Sequence, residues 1–399
     1  YILIYYMARP RPAPEGCRNH VNSQKGVYAQ MKLVCSKGNL LNGLQVVSKA
    51  VPNKTTMSIL ECILIDSTEG QIKLTANDME LGIETIIDGT IVEKGIIALD
   101  AKIFLEIVRK LPDNDITIMT DANFKTTITC EKAKFNIIGK SGEDFSYLPM
   151  IERNDSILLS QFTLKEVIRQ TIFSISDNDS NRLMSGELFE INGDTMRVAS
   201  LDGHRISIRK IELKENYPAR KVVVPGKTLN EISKILSGDA DKDVTIFFTD
   251  KHIVFEFDNT TVVSRLIEGE YFKIDQMLSS DYETKVTINK KELLDCIDRA
   301  TLLIKEGDKK PIIINITDGA MELKINSTVG SMDEEIDIEK LGKDLMIGFN
   351  PRFLIDALRV IDDETITIYL VNPKAPCFIR DDENSYIYLI LPVNFTTVA

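Results

Sequence analysis

The sequence predicts an α+β fold made of three tandem copies of one domain, each an antiparallel sheet carrying two helices on one side. Two observations lead to it. A strand-to-helix segment occurs three times: Leu33-Val34-Cys35 into Asn39-Leu40-Leu41, Phe162-Thr163-Leu164 into Glu166-Val167-Ile168, and Val286-Thr287-Ile288 into Glu292-Leu293-Leu294. Leu40, Val167 and Leu293 thus stand 127 and then 126 residues apart. A second helix start repeats in step, with Leu99, Val224 and Phe349 spaced 125 apart, each leading into a Lys or Arg three residues later. Solenoid repeats have periods of roughly 20–50 residues, so a period this long marks a whole domain.

The elements follow in chain order. Residues 1–30 share no pattern with the rest. Tyr1 to Tyr6 is too short to span a bilayer, and Arg9-Pro10-Arg11-Pro12 follows without an apolar run. They are expected to be a disordered or non-native extension. The three domains are expected at 31–151, 157–273 and 275–396, with polar junctions near 151–157 and 273–283. In the first, Leu40, Leu41, Leu44 and Val47 share a helical face. Strand-like runs Cys62–Ile65, Ile72–Thr75, Leu81–Glu84 and Ile96–Leu99 come next. Asp100 then caps a second helix, which Pro112 stops. The dipeptides Asp88-Gly89, Asn192-Gly193 and Asp318-Gly319 suit hairpins. The six helices are expected at 36–50, 100–111, 163–176, 225–238, 289–305 and 350–361.

Composition narrows the function classes. With 43% hydrophobic and 27% charged residues the chain reads as an ordinary soluble protein. Six cysteines without a C-x-x-C pair, and three histidines far apart, indicate neither a disulfide framework nor a metal site. Reduced thiols and a cytoplasmic location are expected, with no cofactor. A net charge of −12 argues globally against nucleic acid, but the charge is uneven: the six helix segments together carry +7. Lysine and arginine are good helix formers, and that alone accounts for some of this excess. The sharper reading is a positive helical surface on an acidic body, which attracts phosphates locally and without sequence preference.

A set of motifs then carries a resemblance. Leu74-Thr75-Ala76-Asn77-Asp78-Met79-Glu80-Leu81, Val198 to Arg205 ending in Asp202-Gly203-His204-Arg205, Val222-Val223-Val224-Pro225, and the closing Tyr388-Leu389-Ile390-Leu391-Pro392-Val393 resemble the bacterial sliding clamp family, the beta subunits of DNA polymerase III. The resemblance runs from Met31 to about Phe395. It implies a DNA-clamp domain in triplicate, closing as a head-to-tail homodimeric ring with twelve helices lining the hole. Helices about 10 Å wide give a lining of order 120 Å and a hole of roughly 30 Å, enough for duplex DNA. Such a ring holds DNA by topology and slides. It implies a non-catalytic processivity factor that tethers the replicative polymerase alpha subunit, the clamp loader delta subunit, repair polymerases and mismatch-repair proteins.

The resemblance also implies site residues. DNA contact maps to Lys54, Lys102, Asn178, Arg182 and Leu183. A partner-peptide pocket maps to Met184, Leu201, Gly203, His204, Arg205 and Ile206, then Phe272, Met277 and Pro376, and finally Leu389, Ile390, Leu391, Pro392 and Val393. Phe272, Gln276 and Asn394 depart from the proline and arginines common there. An apolar set with methionine, with His204 and Arg205 expected at its rim, suits a short extended peptide. Ring closure maps to Phe135 and Ile137 in the first domain and to Leu302 and Leu303, expected to end a helix, in the last.

Two other readings remain open from the residues alone. Asp202 and His204 invite a catalytic pair, but no G-x-S-x-G, reactive-cysteine or phosphate-loop context accompanies them, and close neighbours in a turn seldom adopt triad geometry. The other is a three-repeat scaffold that binds proteins and never encircles DNA.

Overall fold

The computed structural model describes residues 30–176, 181–305 and 310–395. Residues 1–29 of the expected extension and the tail Thr396–Ala399 lie outside the described residues. The chain packs as two compact units, residues 30–78 with 84–147, and residues 79–83 with 148–395. The second unit holds the middle and last repeats.

Six α-helices form among the described residues, and each begins directly after a strand or, at α6, one residue beyond it: α1 Lys37–Val47, α2 Ala101–Lys110, α3 Gln161–Thr171, α4 Gly226–Ile235, α5 Lys290–Thr301 and α6 Pro351–Val360. Five have a side-chain cap at that junction. Ser36, Asp100, Ser160, Asn289 and Asn350 each accept a backbone N–H from the first turn, at 2.8–3.2 Å. Such a cap is worth about 1 kcal/mol and sets the helix start sharply. Pro351 adds a pre-set φ at the first position of α6. The expected C-terminal ends all move inward, by one to five residues, most at α3 and α5. Helix α3 starts at Gln161 because Ser160 is its cap, and the chain tightens into a 3₁₀ turn at Ile172–Ser174. Helix α5 stops at Thr301, leaving Leu302 as its C-cap rather than its last turn.

Within each repeat the two helices lie side by side, α1 with α2, α3 with α4, α5 with α6. In the first unit they accompany a five-stranded antiparallel sheet in the order Thr90–Glu93, Met31–Ser36, Asp115–Thr120, Lys125–Cys130, Ala133–Ile138. In the second unit a seven-stranded sheet runs through both repeats. The strand Arg205–Pro225 of the middle repeat pairs with Tyr386–Ile390 of the last, Arg205 opposite Ile390 and Ser207 opposite Tyr388. A four-stranded sheet, Ser331–Asp337, Ala320–Asn326, Ile312–Thr317, Leu345–Phe349, completes the last repeat. Its core includes the fully buried Leu323, Ile347, Tyr388 and Ile390.

The three expected hairpins fare differently. Asp318-Gly319 is one, a two-residue link between paired strands with Gly319 at φ +79. Asp88-Gly89 instead carries the chain from Leu81–Ile87 to Thr90–Glu93, which belong to different sheets. Asn192-Gly193 lies inside the strand Gly186–Leu201. There the register slips on either side of Gly193, and Leu213–Asn216 of the partner strand are left over between the pairs Thr195–Glu212 and Gly193–Tyr217. The glycine's positive φ makes a bulge, not a reversal.

Candidate functional site

The site is built on the turn Asp202–His204, which returns the strand Gly186–Leu201 into Arg205–Pro225. Gly203 sits at φ +88, a conformation L side chains rarely adopt. The Asp202 carboxylate ties the turn by accepting the backbone N–H groups of His204 (3.0 Å) and Arg205 (3.2 Å) and the Nε of Arg205 (2.9 Å). It is therefore spent on the turn and on Arg205, and the catalytic-pair reading loses its carboxylate.

Beside the turn opens a cleft of about 440 Å³, lined by Met184, Leu201, Gly203, His204, Arg205, Ile206, Phe272, Met277, Pro376, Leu389 and Leu391. Middle and last repeats both contribute, because their strands pair directly beneath it. Leu201, Ile206, Tyr271, Phe378 and Leu389 form one apolar cluster under the floor. Tyr271 packs edge-on against Phe272, with ring centroids 5.6 Å apart, and donates its hydroxyl to the Gly186 carbonyl at 3.4 Å. Burial pushes that hydroxyl's pKa well up. Met277 and Leu391 are the most open of the apolar lining, at 43% and 39% exposed.

All eleven lining residues belong to the set the resemblance implied; three of that set do not line the cleft. Ile390 is fully buried in the core of the last repeat, because it alternates with Leu389 and Leu391 and so faces the other side of the strand. Pro392 and Val393 lie past the cleft. Leu391 donates its N–H to the His204 carbonyl at 2.8 Å, and Val393 donates to the Gly348 carbonyl at 2.9 Å, so the chain leaves toward the edge strand Leu345–Phe349. A Cβ on Gly348 would stand 2.6 Å from the Phe395 ring, so only glycine seats that ring there.

Arg205 was expected on the cleft's rim but is 8% exposed, with every arm of its guanidinium engaged. Beyond its bond to Asp202, Nη1 donates to Asp356 of α6 at 2.6 Å and Nη2 to the Phe173 carbonyl at 2.6 Å. The group also lies 4.3 Å from the Phe353 ring centroid. His204 is exposed and stacks on the same ring at 6.1 Å. Burial penalises the guanidinium charge, but the hydrogen bond to Asp356 and the nearby Tyr388 and Asp202 outweigh it, and its pKa is raised. Behind this region, the side chain of Glu187 is wholly buried with no hydrogen-bond partner for either carboxylate oxygen among the described residues. Desolvation pushes its pKa up to about 8.

The basic helix residues divide into two groups. Lys37 donates to the Leu111 carbonyl, Lys165 to the Leu236 carbonyl at 3.1 Å and Lys290 to the Ile361 carbonyl at 2.6 Å. In all three repeats, then, an ammonium at the start of the first helix closes the C-terminal end of the second, where the helix dipole favours a cation. Those lysines are structural. Lys54 and Lys102 are exposed, on the loop after α1 and on α2. Arg182 is exposed but pairs with Glu80 at 2.9 Å. Leu183 is half-buried, its side chain packed against Gly269. Asn178 lies outside the described residues.

Two edge strands among the described residues carry contrasting side chains. Ala133–Ile138 ends the five-stranded sheet, with Phe135 40% and Ile138 84% exposed, Ile137 half-buried, and Lys132 and Lys134 alongside. Ser331–Asp337 ends the four-stranded sheet and carries Asp333, Glu334, Glu335 and Asp337. Leu302 is 80% exposed, whereas Leu303 packs partly against the core of the last repeat. Exposed edges of this length invite pairing with another chain.

Comparison with known proteins closes the identification. Models of the DNA polymerase III beta subunit match in sequence order: the N-terminal domain at residues 31–149, the central domain at 158–273 and the C-terminal domain at 275–394. The beta sliding clamp of Staphylococcus epidermidis is 32% identical over 374 residues, covering 91% of this chain and 99% of that one. A crystal structure from Eubacterium rectale assigned to the DNA polymerase III beta subunit is 77% identical, with a TM-score of 0.89 over 92% of this chain and 100% of its own. The Bacillus subtilis sliding clamp gives the same TM-score and coverage at 32% identity. The chain belongs to the DNA polymerase III beta subunit family, the bacterial sliding clamps.

Proposed function

We propose that the chain is a sliding clamp: two copies close head to tail around duplex DNA, slide along it, and hold a polymerase there through the cleft at Asp202–Arg205. The observation that carries this reading is the combination of family membership with an apolar, pre-built cleft between the middle and last repeats. The cleft suits a short extended peptide with apolar anchors, of the form Gln-x-x-Leu-Phe. An apolar contact this small supports micromolar affinity, which suits partners that exchange. Clamp and partner share one DNA molecule, so local concentration makes the weak contact effective. The clamp loader delta subunit, the polymerase alpha subunit, repair polymerases and mismatch-repair proteins are the partners proposed for it.

Ring closure is assigned to the two edge strands. The basic edge around Phe135 and Ile138 complements the acidic edge Ser331–Asp337, and Leu302 supplies an exposed apolar anchor beside it. DNA contact is assigned to Lys54 and Lys102. It is weak and sequence-independent, since topology does the holding. The protein contributes no chemistry of its own.

The test is retention on DNA. Loaded by an ATP-driven loader onto a nicked circle, the protein should stay through gel filtration in high salt and be lost once the circle is linearised. Failure to be retained on the circle at any salt concentration would favour the protein-binding scaffold.

A further inference from the structure

We infer that Asp356 is a positioning residue for the cleft, although it does not line it. This rests on the reading of the cleft as a peptide site. Asp356 stands on α6 of the last repeat, with its side chain 37% exposed, and reaches across 151 residues of sequence to Arg205. Arg205 in turn holds Asp202, which ties the turn that presents Gly203 and His204 to the cleft. The guanidinium is a rigid planar fork, so fixing one arm fixes the orientation of the others. One arm is anchored on the Phe173 carbonyl and one on Asp202, both in the middle repeat. The remaining arm is anchored only by Asp356, in the last.

The wall is held in register with Leu389, Leu391 and Pro376 on the opposite side by backbone and by side chains. The backbone supplies the strand pairing of Arg205 with Ile390 and the Leu391 N–H on the His204 carbonyl. Side chains supply the ring of Phe353 under His204 and Arg205, and the ion pair from Arg205 to Asp356, which alone fixes a guanidinium arm from the last repeat. Removing the carboxylate leaves the guanidinium buried with one arm unpaired, and it must turn to recover a partner. Asp202 and the turn move with it.

A second ion pair provides the control. Arg169 on α3 binds Asp362 at 2.7 Å, which also joins the middle repeat to the last, but neither residue lines the cleft. If Asp356 acts only by joining the repeats, cutting Arg169–Asp362 has a similar effect on peptide binding. If it positions the wall, the two pairs differ.

The experiment measures the Kd of a fluorescein-labelled Gln-x-x-Leu-Phe peptide by anisotropy on the full chain, with melting temperature and native mass recorded for each variant. Asp356→Ala should raise Kd at least about tenfold, Asp356→Glu should return it to within about threefold of the parent, and Asp362→Asn should leave it unchanged. Native mass should be the same throughout. Unchanged affinity in Asp356→Ala, or an equal loss in Asp362→Asn, overturns the positioning role while leaving the peptide site standing. If Asp356→Ala does not fold, Asp356→Asn, which keeps the shape and removes the charge, gives the same reading. A parent chain that does not bind the peptide overturns the site itself, and the inference with it.

Discussion

The cleft and the exposed lysines Lys54 and Lys102 use basic side chains in opposite ways. At the cleft, Arg205 is buried, its guanidinium hydrogen-bonds three residues besides its ring contacts, and it cannot move without breaking something. Lys54, on the loop after α1, and Lys102, on α2, are exposed, and no ion pair to either is found among the described residues. The first arrangement recognises by shape and fixed polar geometry. The second offers charge without geometry, and suits a partner that must slide. One substitution should therefore cost much at the cleft and little at the lysines.

The largest effect is expected at Arg205. Arg205→Ala strands Asp202 and Asp356 and empties the space beside Phe353. It should cost about 3 kcal/mol in urea unfolding, the low end for a broken buried pair because Asp356 is partly open. Peptide binding should be lost. A change below about 1 kcal/mol would mean that the guanidinium network is not what holds the wall.

A smaller effect, dependent on pH, is expected at Glu187, on the strand that leads into the cleft. Its folded pKa of about 8 lies above that of an unfolded carboxylate. The folded state thus keeps a proton that the unfolded state loses. Stability should be fullest below the ordinary carboxylate range and fall as pH rises through 8. Melting temperatures of the parent and Glu187→Gln should diverge over that window, the variant falling less. Parallel curves would place a partner for Glu187 that the structure lacks.

The smallest effect is expected from Lys54→Glu with Lys102→Glu. Loss of two phosphate contacts should lower the salt slope of DNA binding by the open form by about two units. Peptide affinity and fold should not change. DNA binding with an unaltered slope would put the contact elsewhere, or restrict it to geometry as fixed as the cleft's.

The same contrast explains what was legible in the sequence. The tandem repeat, the strand-to-helix junctions and the capping residues are local signals, and the helices begin within two residues of where those signals put them. The cleft's lining was reached through motif resemblance, not through periodicity. What stayed hidden depends on partners distant in sequence. Lys37, Lys165 and Lys290 read as surface charge until the carbonyls 71–74 residues away come into range. Arg205 reads as a rim residue until Asp356 closes on it. Ile390 reads as part of a cleft motif until strand alternation turns it to the core. Glu187 gave no sign of burial, because its strand opens with four successive buried residues where alternation would turn every second one outward.

The central claim is the ring, and native mass tests it most directly. By sedimentation equilibrium at micromolar concentration the chain should run at twice its 44.9 kDa, with Leu302→Ala plus Leu303→Ala falling to the monomer while staying folded. A parent chain that sediments as a stable monomer, with no rings seen by electron microscopy, would contradict it.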